Sequence, residues 1–161
     1  MSAPLKTRRE RSMFTKEAFK KRMEQLVGES DYSRTELKKN MNVNSSSFYN
    51  ALVHGVVPTP KTLVKIADYF GVSLLYLLGE TNENDFMEPF SRSTFAERFK
   101  ELCEENGVTA YRVSTALGFD NSLIIRWLKK GYTPSLEILM LLTDYFGVSP
   151  DYLLGRTDYK H

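Results

Sequence analysis

Two stretches of nine residues, NSSSFYNAL from Asn44 and DNSLIIRWL from Asp120, hold the side chains best suited to chemistry with a partner. At helical spacing Phe48, Ala51 and Leu52, and likewise Ile124, Trp127 and Leu128, fall on one apolar face and read as core. The opposite face carries Ser45, Ser46, Tyr49 and Asn50 in the first stretch and Asn121, Ser122, Ile125, Arg126 and Lys129 in the second. Short amides, hydroxyls and an arginine match the donor and acceptor pattern of base edges in a major groove. A merely solvated helix face has the same polarity, so the charge around it has to discriminate.

Net charge is only +2, and gives no argument by itself. Its distribution is more informative. Residues 33–61 hold Arg34, Lys38, Lys39 and Lys61 against Glu36, a balance of +3. Residues 109–137 set Arg112, Arg126, Lys129 and Lys130 against Asp120 and Glu137, a balance of +2, whereas residues 83–108 stand at −4. Basicity gathered around the two stretches is what phosphate contact requires, and it marks Arg34, Lys38, Lys39, Lys61, Lys129 and Lys130, with the helix-opening Thr109, as phosphate candidates. The N-terminal arm adds Lys6, Arg8, Arg9 and Arg11, which suit a DNA backbone or minor groove as well as they suit a solubilising tail.

The elements that must position these residues come in duplicate. Shifting the chain by 76 residues pairs residues 18–82 with 94–158 without a gap, with identities at Phe19/Phe95, Arg22/Arg98, Ser46/Ser122, Gly55/Gly131, DYFGVS (68–73 and 144–149), Tyr76/Tyr152, LLG and Thr81/Thr157. Two copies are too few for a solenoid, so two small tandem domains are expected. The boundaries read as a flexible basic arm at 1–12, a first domain at 13–81, an acidic linker at 82–91 and a second domain at 92–158. Within the linker, Phe86, Met87 and Phe90 are expected to pack on a surface.

Each copy reads as five helices. The first runs from about Thr15 to Gly28, or from the capping box Thr94/Glu97 to Gly107. The second opens at Ser33, boxed by Glu36, or at Thr109, and turns at Asn42 or Gly118, where a left-handed backbone is needed. A third is capped by Asn44 or Asp120 and stops near Gly55 or Gly131. The fourth begins at Thr59-Pro60 or Pro134-Ser135 and ends at the glycine of DYFGVS, whose serine caps a short fifth helix. The fold class is thus all-α, and helices two and three have the proportions of a helix-turn-helix.

The pattern FAERFKELCEENGVTAYRVSTALGFDNSLIIRWLKKGYTPS, and the terminal LLTDYFGVSPDYLLGRTD, resemble the phage-repressor (Cro/XRE) class of helix-turn-helix proteins, and the first copy repeats the same frame. The resemblance covers all but the first dozen residues and the linker. It implies two lambda-repressor-like domains whose third helices enter the major groove. By position the base readers are Ser45, Ser46 and Asn50, and Asn121, Ser122 and Arg126, with Tyr49 and Ile125 on the same faces. The family's glutamine at the start of the second helix is replaced by Arg34 and Ala110. Lys38 stands where a small residue is usual beneath the third helix, and Ala51 stands opposite Trp127, which implies a looser first core or a re-aimed helix.

The expected function is a sequence-specific, double-stranded DNA-binding regulator of transcription, a repressor, reading two unlike half-sites. It is expected to act as an intramolecular pseudo-dimer packed through the fifth helices and linker, or as a homodimer. A docking or antirepressor module with a protein partner is the alternative, favoured by an exposed Ile125 and the missing glutamines. Enzymatic chemistry finds no support, since His54 and His161 are the two histidines and neither has metal-ligand spacing. No cofactor is expected. Cys103 reads as a small buried hydrophobe, and the absence of a signal-like or membrane-spanning run points to a cytoplasmic address.

Overall fold

A computed structural model describes the chain from Arg8, with side chains from Lys16, through His161. The described residues form ten helices and divide into two compact units, one ending at Phe86 and the next beginning at Met87. The first unit holds α1 (Arg8–Glu29), α2 (Arg34–Met41), α3 (Ser45–His54), α4 (Pro60–Phe70) and α5 (Leu74–Leu77). The second holds α6 (Phe95–Glu105), α7 (Ala110–Leu117), α8 (Asn121–Lys130), α9 (Leu136–Phe146) and α10 (Pro150–Leu153).

Local chemistry accounts for most of these boundaries. Ser33 and Glu36 close a reciprocal capping box at α2, and Thr94 and Glu97 do the same at α6. Asn42 at the α2–α3 turn has φ 56°, and Gly118 at the α7–α8 turn has φ 74°, the left-handed corners that the sequence requires. One boundary differs. α1 begins at Arg8, so the border expected near residue 12 falls inside a helix. Residues 8–18, RRERSMFTKEA, contain neither glycine nor proline and include three Arg and two Glu, so nothing stops the helix there.

The repeated identities that lie far apart in sequence meet in a clamp. The Arg22 guanidinium lies 3.7 Å from the Tyr76 ring centre and donates to the Thr81 carbonyl (3.1 Å) and Asn82 Oδ1 (3.2 Å). Its counterpart Arg98 lies 4.3 Å from the Tyr152 ring and donates to Asp158 Oδ1 (3.1 Å) and the Thr157 carbonyl (3.4 Å). Each clamp ties the last turn of its unit to the first helix through cation–π contact and charge-assisted hydrogen bonds. The DYFGVS corners beside them are covered by the segment that follows. Asn84 accepts from the Ser73 amide and donates to the Gly71 carbonyl, while the Ser149 amide donates to the Lys160 carbonyl.

The linker is therefore divided between the units. Phe86 is half-buried, but Met87 is exposed and Phe90 fully so at 104%, against the expectation that all three pack on a surface. The Phe90 amide is held by Asp158, which fixes the backbone and leaves the ring outside. Asp151, in the first turn of α10, is buried and paired with Arg156, itself 1% exposed. The first unit has Leu75 and Glu80 at these positions.

The two cores are filled differently. Trp127 meets Phe95 and Phe119 at 5.4 Å and Phe99 at 5.9 Å between ring centres, an aromatic cluster between α6 and α8. In the first unit the corresponding residues are Ala51, Phe19, Val43 and Met23, all buried. α1 packs closely on α3, so that a Cβ at Gly55 would lie 2.7 Å from the Lys16 carbonyl oxygen, whereas one at Gly131 meets nothing within 4 Å. Lys16 belongs to the upstream extension of α1, and its counterpart Arg92 lies before α6 begins. Cys103 is buried in the second core, and burial followed by the charge of Glu104 pushes its thiol pKa up, away from thiolate chemistry.

Candidate nucleic-acid interface

Asn44 caps α3 by accepting from the Ser47 amide at 2.8 Å, and Asp120 caps α8 by accepting from the Ser122 amide at 2.8 Å. These caps set the rotation of each helix. Phe48, Ala51 and Leu52 then turn inward, as do Ile124 and Trp127, with Leu128 half-buried at the edge. All eight sequence-selected readers, Ser45, Ser46, Tyr49 and Asn50 on α3 and Asn121, Ser122, Ile125 and Arg126 on α8, are exposed. Tyr49 is 54% and Ile125 47% exposed.

The two faces differ in electrostatics. Asn44 is neutral, while Asp120 places an anion at the start of α8. Its carboxyl is held below the ordinary value of 3.8, first by the hydrogen bond from the Ser122 backbone, then by one from the Ser122 side chain and by the charge of Arg126. Ser122 is thus partly engaged by its own cap. At the other end His54 closes α3 with its ring edge-on to Tyr49 at 5.5 Å, whereas α8 closes with exposed Lys129 and Lys130. Cations there suit the C-terminal dipole and are also free to meet phosphate.

The remaining phosphate candidates separate by environment. Arg34 at the start of α2, Lys39 in its last turn and Lys61 in the first turn of α4 are exposed. Lys61 opposes the dipole of its own helix, and the second unit has Glu137 at that point, so local helix chemistry does not explain the lysine. Thr109 is exposed, and its hydroxyl accepts from the Arg112 amide as the α7 cap. Lys38 is different from the others. It is half-buried, and its ammonium donates to Ser45 Oγ at 3.2 Å in an exposed contact that ties it to a reader. Lys6 and the side chains of Arg8, Arg9 and Arg11 lie outside the described residues.

Sequence reasoning singled out Lys38 for its charge and missed its contact, which spans seven residues across the turn. The signal was present in its position beneath the third helix, where a long side chain has only the next helix to meet. Among the described residues there is no cluster of His, Cys, Asp or Glu able to hold a metal ion, and no helix long and apolar enough to cross a membrane.

Two short helices joined by a left-handed turn, the second presenting an exposed polar face beside basic residues, define a helix-turn-helix module, here present twice. A family model described as helix-turn-helix (HTH_3) matches residues 23–77 and again 99–153, and the chain belongs to this family, of the Cro/XRE type. No curated protein and no solved structure matches the chain significantly. Membership supports a DNA-binding regulator, and the family's domain is regulatory in kind and not enzymatic.

Proposed function

We propose that the chain is a sequence-specific repressor of transcription that reads two unlike half-sites of double-stranded DNA, one with α3 and one with α8. The observation that carries this reading is the pairing of a common frame with divergent, exposed faces: all eight outward positions are exposed, and of these only the serine at 46 and 122 is the same in both helices. Ser45, Ser46, Tyr49 and Asn50 offer small hydrogen-bonding groups to one half-site. Asn121, Ser122, Ile125 and Arg126 offer an amide, a hydroxyl, an apolar surface fit for a thymine methyl and a guanidinium fit for guanine O6 and N7 to the other. Arg34, Lys39, Lys61, Thr109, Lys129 and Lys130, with the basic arm, supply phosphate contacts.

One chain carries both recognition helices, so it acts as an intramolecular pseudo-dimer spanning about one turn of DNA, roughly 34 Å. Arrangement as a homodimer doubles the same readers. Exposed Ile125, with exposed Tyr111 and Tyr132 in the same unit, favours a second reading in which α8 docks on a protein.

Titration of the full chain into duplex DNA at increasing salt separates the two. DNA reading predicts binding whose logarithm falls steeply and linearly with the logarithm of salt, and which prefers some sequences over others. Salt-insensitive or absent binding contradicts it and favours docking.

A further inference from the structure

Lys38 is the single described cation that touches a proposed base reader, and its counterpart in the second unit removes the arrangement altogether. Its ammonium has three donors and no acceptor, so Ser45 Oγ must be the acceptor in their 3.2 Å hydrogen bond. A serine hydroxyl that accepts from a cation is polarised towards donating its own proton. That proton is left for something outside the protein, since Ser45 stands exposed at the first position of α3. The positive charge behind it disfavours approach of the exocyclic amino groups of adenine or cytosine and favours an edge rich in acceptors. Guanine, with O6 and N7 together in the major groove, presents two.

In the second unit the residue aligned with Lys38 is Ser114, which is buried and donates from Oγ to the Tyr111 carbonyl within its own helix at 2.7 Å. The first position of α8 is Asn121, an amide able both to donate and to accept. The two units thus differ in chemical polarity at the same recognition position, and not only in side-chain identity.

We infer that Lys38 is a specificity-determining positioning residue: by donating to Ser45 Oγ it makes the first position of α3 a reader of acceptor-rich base edges, guanine above all. This rests on the DNA reading proposed above. It assigns Lys38 a role distinct from the phosphate contact that its charge alone indicates, and the two roles leave different traces. A phosphate contact acts on every sequence alike, whereas a positioned hydroxyl acts on one base pair.

The test is selection of bound sequences from a random duplex pool by the full chain, its Lys38→Met and Ser45→Ala variants and the double variant. The half-site of the first unit is recognised as the one that survives Arg126→Ala. There, one position should favour guanine. Lys38→Met and Ser45→Ala should each reduce that preference about fivefold at that position, with the other half-site unchanged. The double variant should lose no more than either single one, because both remove the same contact. Uniform weakening by Lys38→Met, with the preference intact and the salt slope reduced by about one, overturns the inference and returns Lys38 to a phosphate role. If Lys38→Met does not fold, as judged by its circular dichroism melt, Ser45→Ala decides alone, and retention of the guanine preference overturns the inference. Absence of any sequence preference in the unaltered chain refutes the underlying DNA reading instead.

Discussion

Ala51 and Trp127 occupy the same point of the repeat, on the inner face of a helix whose outer face is exposed. Trp127 fills its space with an indole set against three phenylalanines. Ala51 offers only a methyl there, and α1 runs upstream past the point where α6 begins, so that a Cβ on Gly55 would lie 2.7 Å from the Lys16 carbonyl oxygen. One frame therefore accommodates an indole or a methyl at this point, and a first helix of 22 or of 11 residues. Outside, the same helices diverge again, with a neutral cap and a lysine-braced serine on one, an anionic cap and an arginine on the other. The difference teaches that the duplicated framework holds position while the residues on both faces of the helix are free to vary.

The largest effect should come from removing the indole. Trp127→Ala is expected to destabilise the second unit by about 3–5 kcal/mol through lost burial and a cavity, read from urea unfolding followed by circular dichroism. In the intact chain the fluorescence of this tryptophan, the sole one in the sequence, reports the second unit alone and gives the reference transition. A loss below about 1 kcal/mol would mean that the cluster collapses around the gap.

The backbone approach has its own test. Gly55→Ala should cost about 2–3 kcal/mol, because a left-handed φ of 65° is combined with a Cβ 2.7 Å from a carbonyl oxygen. Gly131→Ala meets open space at a similar φ and should cost only about 1 kcal/mol, so equal losses in thermal or urea unfolding would break the contrast. On the outer face, Arg126→Ala should weaken DNA binding by roughly 1–3 kcal/mol and relax preference in one half-site only, as measured by fluorescence anisotropy on altered duplexes.

The smallest expected effect concerns the caps. The Asp120 carboxyl is depressed below 3.8 in the folded chain, chiefly by the Ser122 backbone hydrogen bond, so it stabilises α8 above that value and loses this contribution as the pH falls through the folded pKa. Asp120→Asn should therefore lower the melting temperature of the second unit slightly at neutral pH and leave it unchanged in strong acid. A difference that persists undiminished at low pH would assign the effect to shape and not to charge.

Much of this was legible in the chain because helix ends are written in local chemistry. The capping boxes Ser33/Glu36 and Thr94/Glu97, and the left-handed corners at Asn42, Gly55, Gly71 and their partners, lie within a few residues of what they control. The outward and inward faces of α3 and α8 followed from helical period alone. Features that join distant residues were harder to read. The clamp of Arg22 on Tyr76 was visible only as identities between copies, with no sign that they meet. The Asp151–Arg156 pair is not visible in the chain, because burial of a charge is decided by the surrounding helices. Lys38 on Ser45 required knowing how closely two helices cross. The upstream extent of α1 escaped notice because no cap residue announces it, and helix formers simply continue.

The central claim, that one chain reads two unlike half-sites, is tested most directly by footprinting the full chain on the duplex it selects from a random pool. The account predicts protection across two half-sites about one helical turn apart, with different sequences in the two and only one of them relaxed by Arg126→Ala. Protection of a single short site, or of two identical half-sites that Arg126→Ala relaxes together, would contradict it.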